Sequence, residues 1–357
     1  MSSDSPNKGD FTRRVLIVAG ISFVGVIVLY LLRHVANVLL VAFAGILLAV
    51  FLDGLASILQ RRLHVPRGVG LALVIIVLTG FAVGVSWFAG PRIADQFSKL
   101  AQKIPEALSG IRAFILGLPF GKEMLKGSSE STTAISLSSQ LVGRLSGIFT
   151  TTVGTMVDLF MIAFIGLYAA ATPRLYIDNA ILLLPKEKRA RAHQVVASVR
   201  LAMRWWLVGR FSTMAVVGIL TAFGLWIIGV PLALTLGLIA AVLSFVPFMG
   251  AVVSAIPAML VALVESPAKM LLVVVVFTIV HQLESDVFTP LIQRRAVFIP
   301  PVLLITAQIL LGVLFGLLGV LLATPLTVIV IVLVQCLYVE DVLHERVRKM
   351  GEHHYKP

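Results

Sequence analysis

The sequence predicts an all-α polytopic membrane protein with two broken helical hairpins and a small extramembrane helical segment. Of its 357 residues, 59% are hydrophobic and only 13% are charged, whereas soluble domains average about a quarter charged. The mean hydropathy is +1.03. Apolar runs recur along the chain, and each is long enough to cross a hydrocarbon core of about 30 Å. We therefore expect lipid to cover most of the surface.

Charge and cysteine content exclude several other classes of protein. The net charge of +12 is better explained by basic loops facing anionic lipid than by a nucleic-acid partner. A single cysteine, Cys336, excludes an intrachain disulfide framework and a cysteine metal cluster. The sequence has no G-x-S-x-G, H-E-x-x-H, Walker or C-x-x-C motif. We expect no enzyme, cofactor or metal site. Without an ATP-binding motif, any transport is driven by a gradient or passive, unless a separate ATPase is a partner.

Six apolar runs have the length of a membrane span, and two longer apolar regions are interrupted in the middle. Because the halves of the interrupted regions, 232–264 and 300–338, are mostly about 14 to 19 residues long, they fit hairpins that are either re-entrant or fully crossing. The six runs are 15–32, 35–52, 69–90, 150–172, 207–229 and 268–288.

Basic residues near the ends of these runs predict a cytoplasmic N-terminus. Within the outer part of the chain, apolar residues from Phe97 to Ile115 recur every three or four positions, which is typical of an amphipathic helix. That helix either gates a pore mouth or lies on the membrane surface. The predicted order is a cytoplasmic tail 1–14, first transmembrane helices 15–90, an extramembrane segment 91–149, a transport core 150–338 with a basic cytoplasmic helix 173–206, and a cytoplasmic tail 339–357.

Two carboxylates follow the apolar run LLVVVVFTIV, in the stretch HQLESDVFTPLIQRR. On one helix, Glu284 and Asp286 are about 200° apart, so they lie on different faces and cannot share a proton. Glu284 shares its face with His281, and Asp286 shares its face with Gln282. Intramembrane carboxylates usually mark ion pathways, so one of them binds a proton or cation in a polar cavity. In the alternative, the helix ends here and both acids are solvated or paired with basic residues.

The two interrupted regions carry a second signal. The first breaks at FVPFMG and the second at FGLLG, and a break frees backbone groups that only protein or a water-filled cavity can satisfy. FMGAVVSAIPAML and LLGVLLATPLTVI also share an apolar-Gly-apolar-small-Pro order, which is either an internal repeat or a coincidence. The residues expected at the breaks are Pro247, Gly250, Pro257, Gly316, Gly319 and Pro325, and the polar side chains expected to reach a substrate in the second region are Thr306, Gln308 and Thr324.

The stretches FVPFMGAVVSAIPAML, HQLESDVFTPLIQRRAVFIPPVLL and LLGVLFGLLGVLLATPLTVIV resemble the autoinducer-2 exporter family of bacterial permeases. The resemblance is strongest over 205–338, and the acidic position of the family falls on Glu284. It implies about eight membrane helices, a homo-oligomer and export of a small polar solute. Some relatives are instead regarded as sodium–proton antiporters.

The sequence therefore predicts a permease of the bacterial inner membrane that exports a small polar solute, similar to autoinducer-2 by family resemblance. A sodium–proton antiporter that uses Glu284 or Asp286 is the alternative, because it needs a titratable carboxylate. A non-transporting membrane scaffold is a third possibility. The expected partners are the lipid bilayer and either a small polar solute or a monovalent cation and protons.

Overall fold

The structure, a computed structural model, describes residues 8–80, 152–288 and 299–345, and five single positions between 83 and 95. Throughout these ranges the chain forms helices joined by short turns, with no β-strand. The predicted extramembrane segment 91–149 lies almost wholly outside the described residues, as does most of the C-terminal tail. The all-α class is confirmed.

The first helix, α1 (Lys8–Leu63), is 56 residues long. The prediction of two separate spans at 15–32 and 35–52 is wrong, because no turn divides these runs. Arg33 and His34 stand between them, and neither residue type stops a helix as proline or glycine does. At 1.5 Å per residue the helix is about 84 Å long, so its two ends lie far apart.

The next helices are α2 (Arg67–Gly80), α3 (Thr152–Ala171) and α4 (Pro173–Leu182). Of these, α2 and α3 pack against α1, whereas α4 contacts α3 and the helix that follows it. The chain bends by 85° between α3 and α4, where Pro173 starts the new helix. A small core joins α1, α2 and α3 through buried residues such as Leu52, Leu71 and Ala170.

Helix α5 (Lys186–Ile227) is 42 residues long and unbroken. It contains the second part of the predicted cytoplasmic helix 173–206 and continues directly into the predicted span 207–229. The first part of that cytoplasmic helix forms α4 instead. The largest core packs α5 against α1 and the last helix, around Met203, Trp206 and Leu207.

The first predicted hairpin is present as α6 (Ala233–Leu243) and α7 (Met249–Glu265), with the break at 244–248. A Cβ atom on Gly250 would lie 2.2 Å from the carbonyl oxygen of Leu243, so glycine is required for the close approach of the two arms. Pro257 does not mark a break; it lies inside α7.

Helix α8 (Pro267–Leu283) begins with Ser266 as a cap: the Ser266 hydroxyl accepts a hydrogen bond from the backbone N–H of Lys269 at 3.1 Å. It continues without interruption into a wider π-helical turn, Glu284–Phe288, which carries both acids.

The last helix, α9 (Pro301–Val334), is the second predicted hairpin. At Gly316 the backbone leaves helical geometry with φ 63° and ψ −143°, a conformation that glycine tolerates. A Cβ atom on Gly319 would lie 2.0 Å from the carbonyl oxygen of Leu311. Residues eight apart in a straight helix are about 12 Å apart along its axis, so the two arms fold back on each other. Pro325, also predicted at a break, lies within the second arm.

Among the described residues, four helices are long and apolar enough to cross a membrane, and the bent pair of α3 and α4 makes a possible fifth. Three shorter apolar helices, α2, α6 and α7, accompany them. The chain is thus polytopic. The predicted total of about eight spans also counts hairpin arms and segments outside the described residues.

Candidate functional site

A small cavity that five polar side chains help to line lies where α5 and the end of α8 meet the break in the first hairpin. The volume open to the centre of a water molecule is about 10 Å³, which is room for about one water. Its walls come from four segments of the chain that are far apart in sequence. The lining residues are Val217, Thr221, Ser244, Ala251, Ser254, Phe277, Val280, His281 and Glu284.

Glu284 supplies the carboxylate of this cavity. Its side chain is only 14% exposed, and its Oε2 atom lies 3.2 Å from Nδ1 of His281, one helical turn earlier. The His281 side chain is 45% exposed. The partly exposed imidazole therefore contacts the carboxylate, and an imidazole so placed can accept or donate a proton.

Three hydroxyl groups face the same cavity. Ser244 and Ser254 donate to the carbonyl oxygens of Ala241 and Ala251, at 2.7 and 3.2 Å, and each keeps lone pairs that can accept a proton donor or a cation. Thr221 is fully buried, and its Oγ1 atom has no hydrogen-bond partner. A buried polar atom without a partner costs free energy unless water or a ligand satisfies it. Among the described residues, the Thr221 hydroxyl is therefore free to bond to a water molecule or an ion in the cavity.

Arg210 lies close to this site and was not predicted from the sequence. It is 5% exposed, and its Nε atom donates to the carbonyl oxygen of Phe245 at 2.9 Å, just beyond the end of α6. It is also within electrostatic reach of Glu284. The sequence does carry a signal for Arg210, because it is the sole charged residue of the apolar run 207–229. A charged side chain within a membrane span costs free energy and usually marks a functional position.

Asp286 lies elsewhere. Its Oδ2 atom accepts a hydrogen bond from Nε2 of Gln282, and both side chains are exposed. This pair faces away from the Glu284 cavity, as expected for residues about 200° apart on a helix. Of the four side chains predicted together at 281–286, the structure brings only His281 and Glu284 to the cavity.

The residues predicted in the second hairpin do not line the cavity. Gln308 is 2% exposed, and its Nε2 atom donates to the carbonyl oxygen of Pro247 at 3.3 Å. Thr324 is buried in the second arm of α9, whereas Thr306 is exposed on the first. Among the three, only Gln308 is linked to the break that borders the cavity.

Comparison with known proteins gives a consistent result. A family model described as "AI-2E family transporter" matches residues 16–338. The chain is 24% identical over 299 residues to "Putative transport protein YueF" of Bacillus subtilis, covering 80% of each chain. It is 26% identical to "Putative transport protein YrrI" of the same organism, covering 80% of this chain and 84% of the relative. A "Putative transport protein" of Thermotoga maritima is 25% identical, covering 79% of this chain and 85% of the relative.

Proposed function

The chain belongs to the AI-2E transporter family, and we propose that it exchanges protons for a monovalent cation such as sodium, with Glu284 as the shared binding group. The observation that carries the proposal is the cavity itself. It places a mostly buried carboxylate beside a buried hydroxyl that has no partner. The family supports membrane transport, and the cavity supports the choice of ion.

A single carboxylate couples two ions when only one of them can occupy it at a time. A proton bound to Glu284 removes the negative charge that attracts a cation, so binding of one ion opposes binding of the other. Carboxylate and hydroxyl oxygens suit hard cations. In this proposal Glu284, Thr221 and Ser254 supply such oxygens, and Ser244 stands at the end of α6, the kind of broken-helix end that coordinates ions in secondary transporters.

The surroundings of Glu284 provide both an entry path and a counter-charge. His281 is half-exposed and contacts the carboxylate, so it connects the site with solvent on one side. Arg210 supplies positive charge when neither ion is bound, which lowers the cost of a buried, ionised carboxylate. Movement of the broken hairpin α6–α7, which forms one wall, would change the side from which the site is reached.

The size of the cavity favours an ion over a sugar-like signal. Room for about one water molecule does not hold a solute such as autoinducer-2. Two larger cavities, of about 310 and 610 Å³, have mainly apolar walls, which suit a polar solute poorly. Export of a small polar solute is therefore the second candidate, supported by the family resemblance, and a non-transporting scaffold is the third.

The location of basic residues supports an orientation in the bacterial inner membrane. Arg61 and Arg62 lie in the last turn of α1, and Arg67 starts the next helix. Arg200 and Arg204 contact the same part of α1 through Asp53 and Gly54. We assign this end to the cytoplasm by the positive-inside rule. A cytoplasmic N-terminus would require a turn in α1 near Arg33, so labelling of a cysteine introduced at Ser3 in intact cells tests the N-terminal side. Assembly as a homo-oligomer, implied by the resemblance, is tested by the mass of the purified protein.

Flux measurements in sealed proteoliposomes test the proposed function. Vesicles that contain a pH-sensitive dye are challenged with a sodium gradient, first with the wild-type protein and then with Glu284→Gln. We expect sodium-dependent proton movement in the wild type and none in Glu284→Gln. Asp286→Asn is the matched control, because its carboxylate lies outside the cavity, and it should retain the flux. Absence of proton movement in the wild type, or its persistence in Glu284→Gln, would contradict the proposal.

A further inference from the structure

A second cavity, distinct from the one at Glu284, lies beneath α4. Its volume is about 310 Å³, within the range of sites that hold a ligand-sized molecule. It is lined by apolar side chains from α1, α4 and α5, with Asp53 and Arg200 as its charged residues. Representative members of the apolar wall are Phe43, Val50, Ile177, Ala180, Val199 and Met203. The cavity is therefore apolar along its length and charged at one end.

The charged end carries more positive than negative groups. The Asp53 carboxylate accepts hydrogen bonds from two guanidinium groups. Nη2 of Arg67 donates to Oδ1 at 2.7 Å, and Nη2 of Arg200 donates to Oδ2. The Asp53 side chain is only 14% exposed, whereas those of Arg67 and Arg200 are 39% and 45% exposed. One carboxylate thus neutralises one of two partly exposed cations. The remaining positive charge faces outward and suits an anion.

The position of α4 supports a location for this cavity at the membrane surface. The 85° bend after α3 turns α4 away from the direction of that candidate span. Leu175, Tyr176 and Leu182 on α4 are all at least half exposed. A short helix with exposed apolar residues beside arginines is typical of an interfacial helix, at the depth of lipid headgroups.

We propose that this cavity binds an anionic phospholipid. One acyl chain lies against the apolar wall formed by α1, α4 and α5, and the phosphate contacts Arg200, which lines the charged end beside the ion pair of Asp53 with Arg67. Basic pockets between membrane helices recognise anionic headgroups by charge. A zwitterionic lipid would pack its acyl chain against the same apolar wall, but its headgroup has no net negative charge to neutralise the excess positive charge. The site does not involve Glu284 and is independent of ion exchange.

Native mass spectrometry of the full-length protein in detergent tests the proposal. Phosphatidylglycerol and phosphatidylcholine with identical acyl chains are titrated separately. We expect phosphatidylglycerol to bind about fivefold more tightly, the effect of about one net cationic side chain near a headgroup. Arg200→Gln should weaken the binding of phosphatidylglycerol by a similar factor and leave the binding of phosphatidylcholine unchanged. Arg189→Gln is its control, because Arg189 donates to the carbonyl oxygens of Leu182 and Leu184 and does not line the cavity.

Filling the cavity tests the acyl-chain part of the proposal. Ala180→Trp should abolish tight binding of either lipid, whereas Ala190→Trp, on an exposed position of α5 outside the cavity, should preserve it. If Arg200→Gln does not fold, Asp53→Asn replaces it and should strengthen phosphatidylglycerol binding, since it removes the competing carboxylate. The proposal is wrong if Ala180→Trp binds phosphatidylglycerol as the wild type does, or if both lipids bind equally. It is also wrong if Ala180→Trp changes the oligomer mass, which would show that a second copy occupies the cavity.

Discussion

The side-chain amide of Gln308 donates a hydrogen bond to the backbone carbonyl oxygen of Pro247, at 3.3 Å. Gln308 is on the first arm of the second hairpin, and Pro247 is in the break of the first, so this contact joins the two interrupted elements. A backbone carbonyl freed by a helix break in a membrane must be satisfied by protein or water. Gln308, which is 2% exposed, meets that need. Its position indicates a role in holding the hairpins together.

Replacing Gln308 by leucine should destabilise the protein. The change leaves the Pro247 carbonyl oxygen without its partner, which costs about 1–3 kcal/mol of the free energy of unfolding. Denaturant-induced unfolding of the purified protein, followed by tryptophan fluorescence, measures the loss. Gln282→Leu is the control, since Gln282 is exposed and bonds only to Asp286 in its own helix. Equal stability of the two variants would show that the contact between the hairpins contributes little.

Replacing Gly319 by alanine should prevent the second hairpin from closing. The added Cβ atom would lie 2.0 Å from the Leu311 carbonyl oxygen, a backbone atom that cannot rotate away. We expect a sharp loss of folded, monodisperse protein in size-exclusion chromatography. Gly80→Ala is the matched control, because a Cβ atom there meets no atom of the described residues within 4 Å and alanine favours a helix by about 1 kcal/mol. Normal folding of Gly319→Ala would mean that the arms are not closely packed.

Much of the fold was predictable because its signals are local. The breaks at Pro247–Gly250 and Gly316 follow from residues that cannot continue a helix or that tolerate unusual backbone angles. Some predictions failed because local signals also mislead. Arg33 and His34 look like the end of a span, but polarity alone does not end a helix. Pro257 lies within α7, where packing of the neighbouring helices outweighs the lost hydrogen bond.

The site was only partly predictable because folding assembles it from distant segments. Glu284 is visible in the sequence as a carboxylate that ends an apolar run. Thr221 and Ser254 give no comparable signal, since hydroxyl residues are common in membrane helices and only the tertiary structure shows that they share a cavity. Arg210 could have been identified as the sole charge within its run, but its proximity to Glu284 depends on how α5 and α8 pack.

Arg210 and Glu284 should be energetically coupled. Each single change, Arg210→Gln or Glu284→Gln, leaves the other charge buried without its counter-charge, whereas the double variant removes both. We expect the double variant to lose less stability than the sum of the single losses, by about 0.5–3 kcal/mol. Denaturant unfolding of the four proteins measures this difference. The control is the same set of four proteins with Arg204→Gln in place of Arg210→Gln. Arg204 bonds to the Gly54 carbonyl oxygen of α1, in a different part of the structure from Glu284. The losses in that control set should be additive, and additivity in the Arg210 set would contradict the coupling.

Replacing Thr221 by valine should stabilise the protein and at the same time weaken its binding of sodium. Because the Oγ1 atom of Thr221 is buried without a hydrogen-bond partner, its removal should stabilise the protein by about 1 kcal/mol. The same change removes a proposed sodium ligand, so the sodium concentration for half-maximal proton movement should rise about tenfold, equivalent to a loss of about 1.4 kcal/mol in binding. Thr213→Val is the matched control on the same helix, because Thr213 is equally buried but donates to the Gly209 carbonyl oxygen at 3.0 Å. Thr213→Val should leave the sodium dependence unchanged, and an unchanged sodium dependence in Thr221→Val would remove Thr221 from the proposed site.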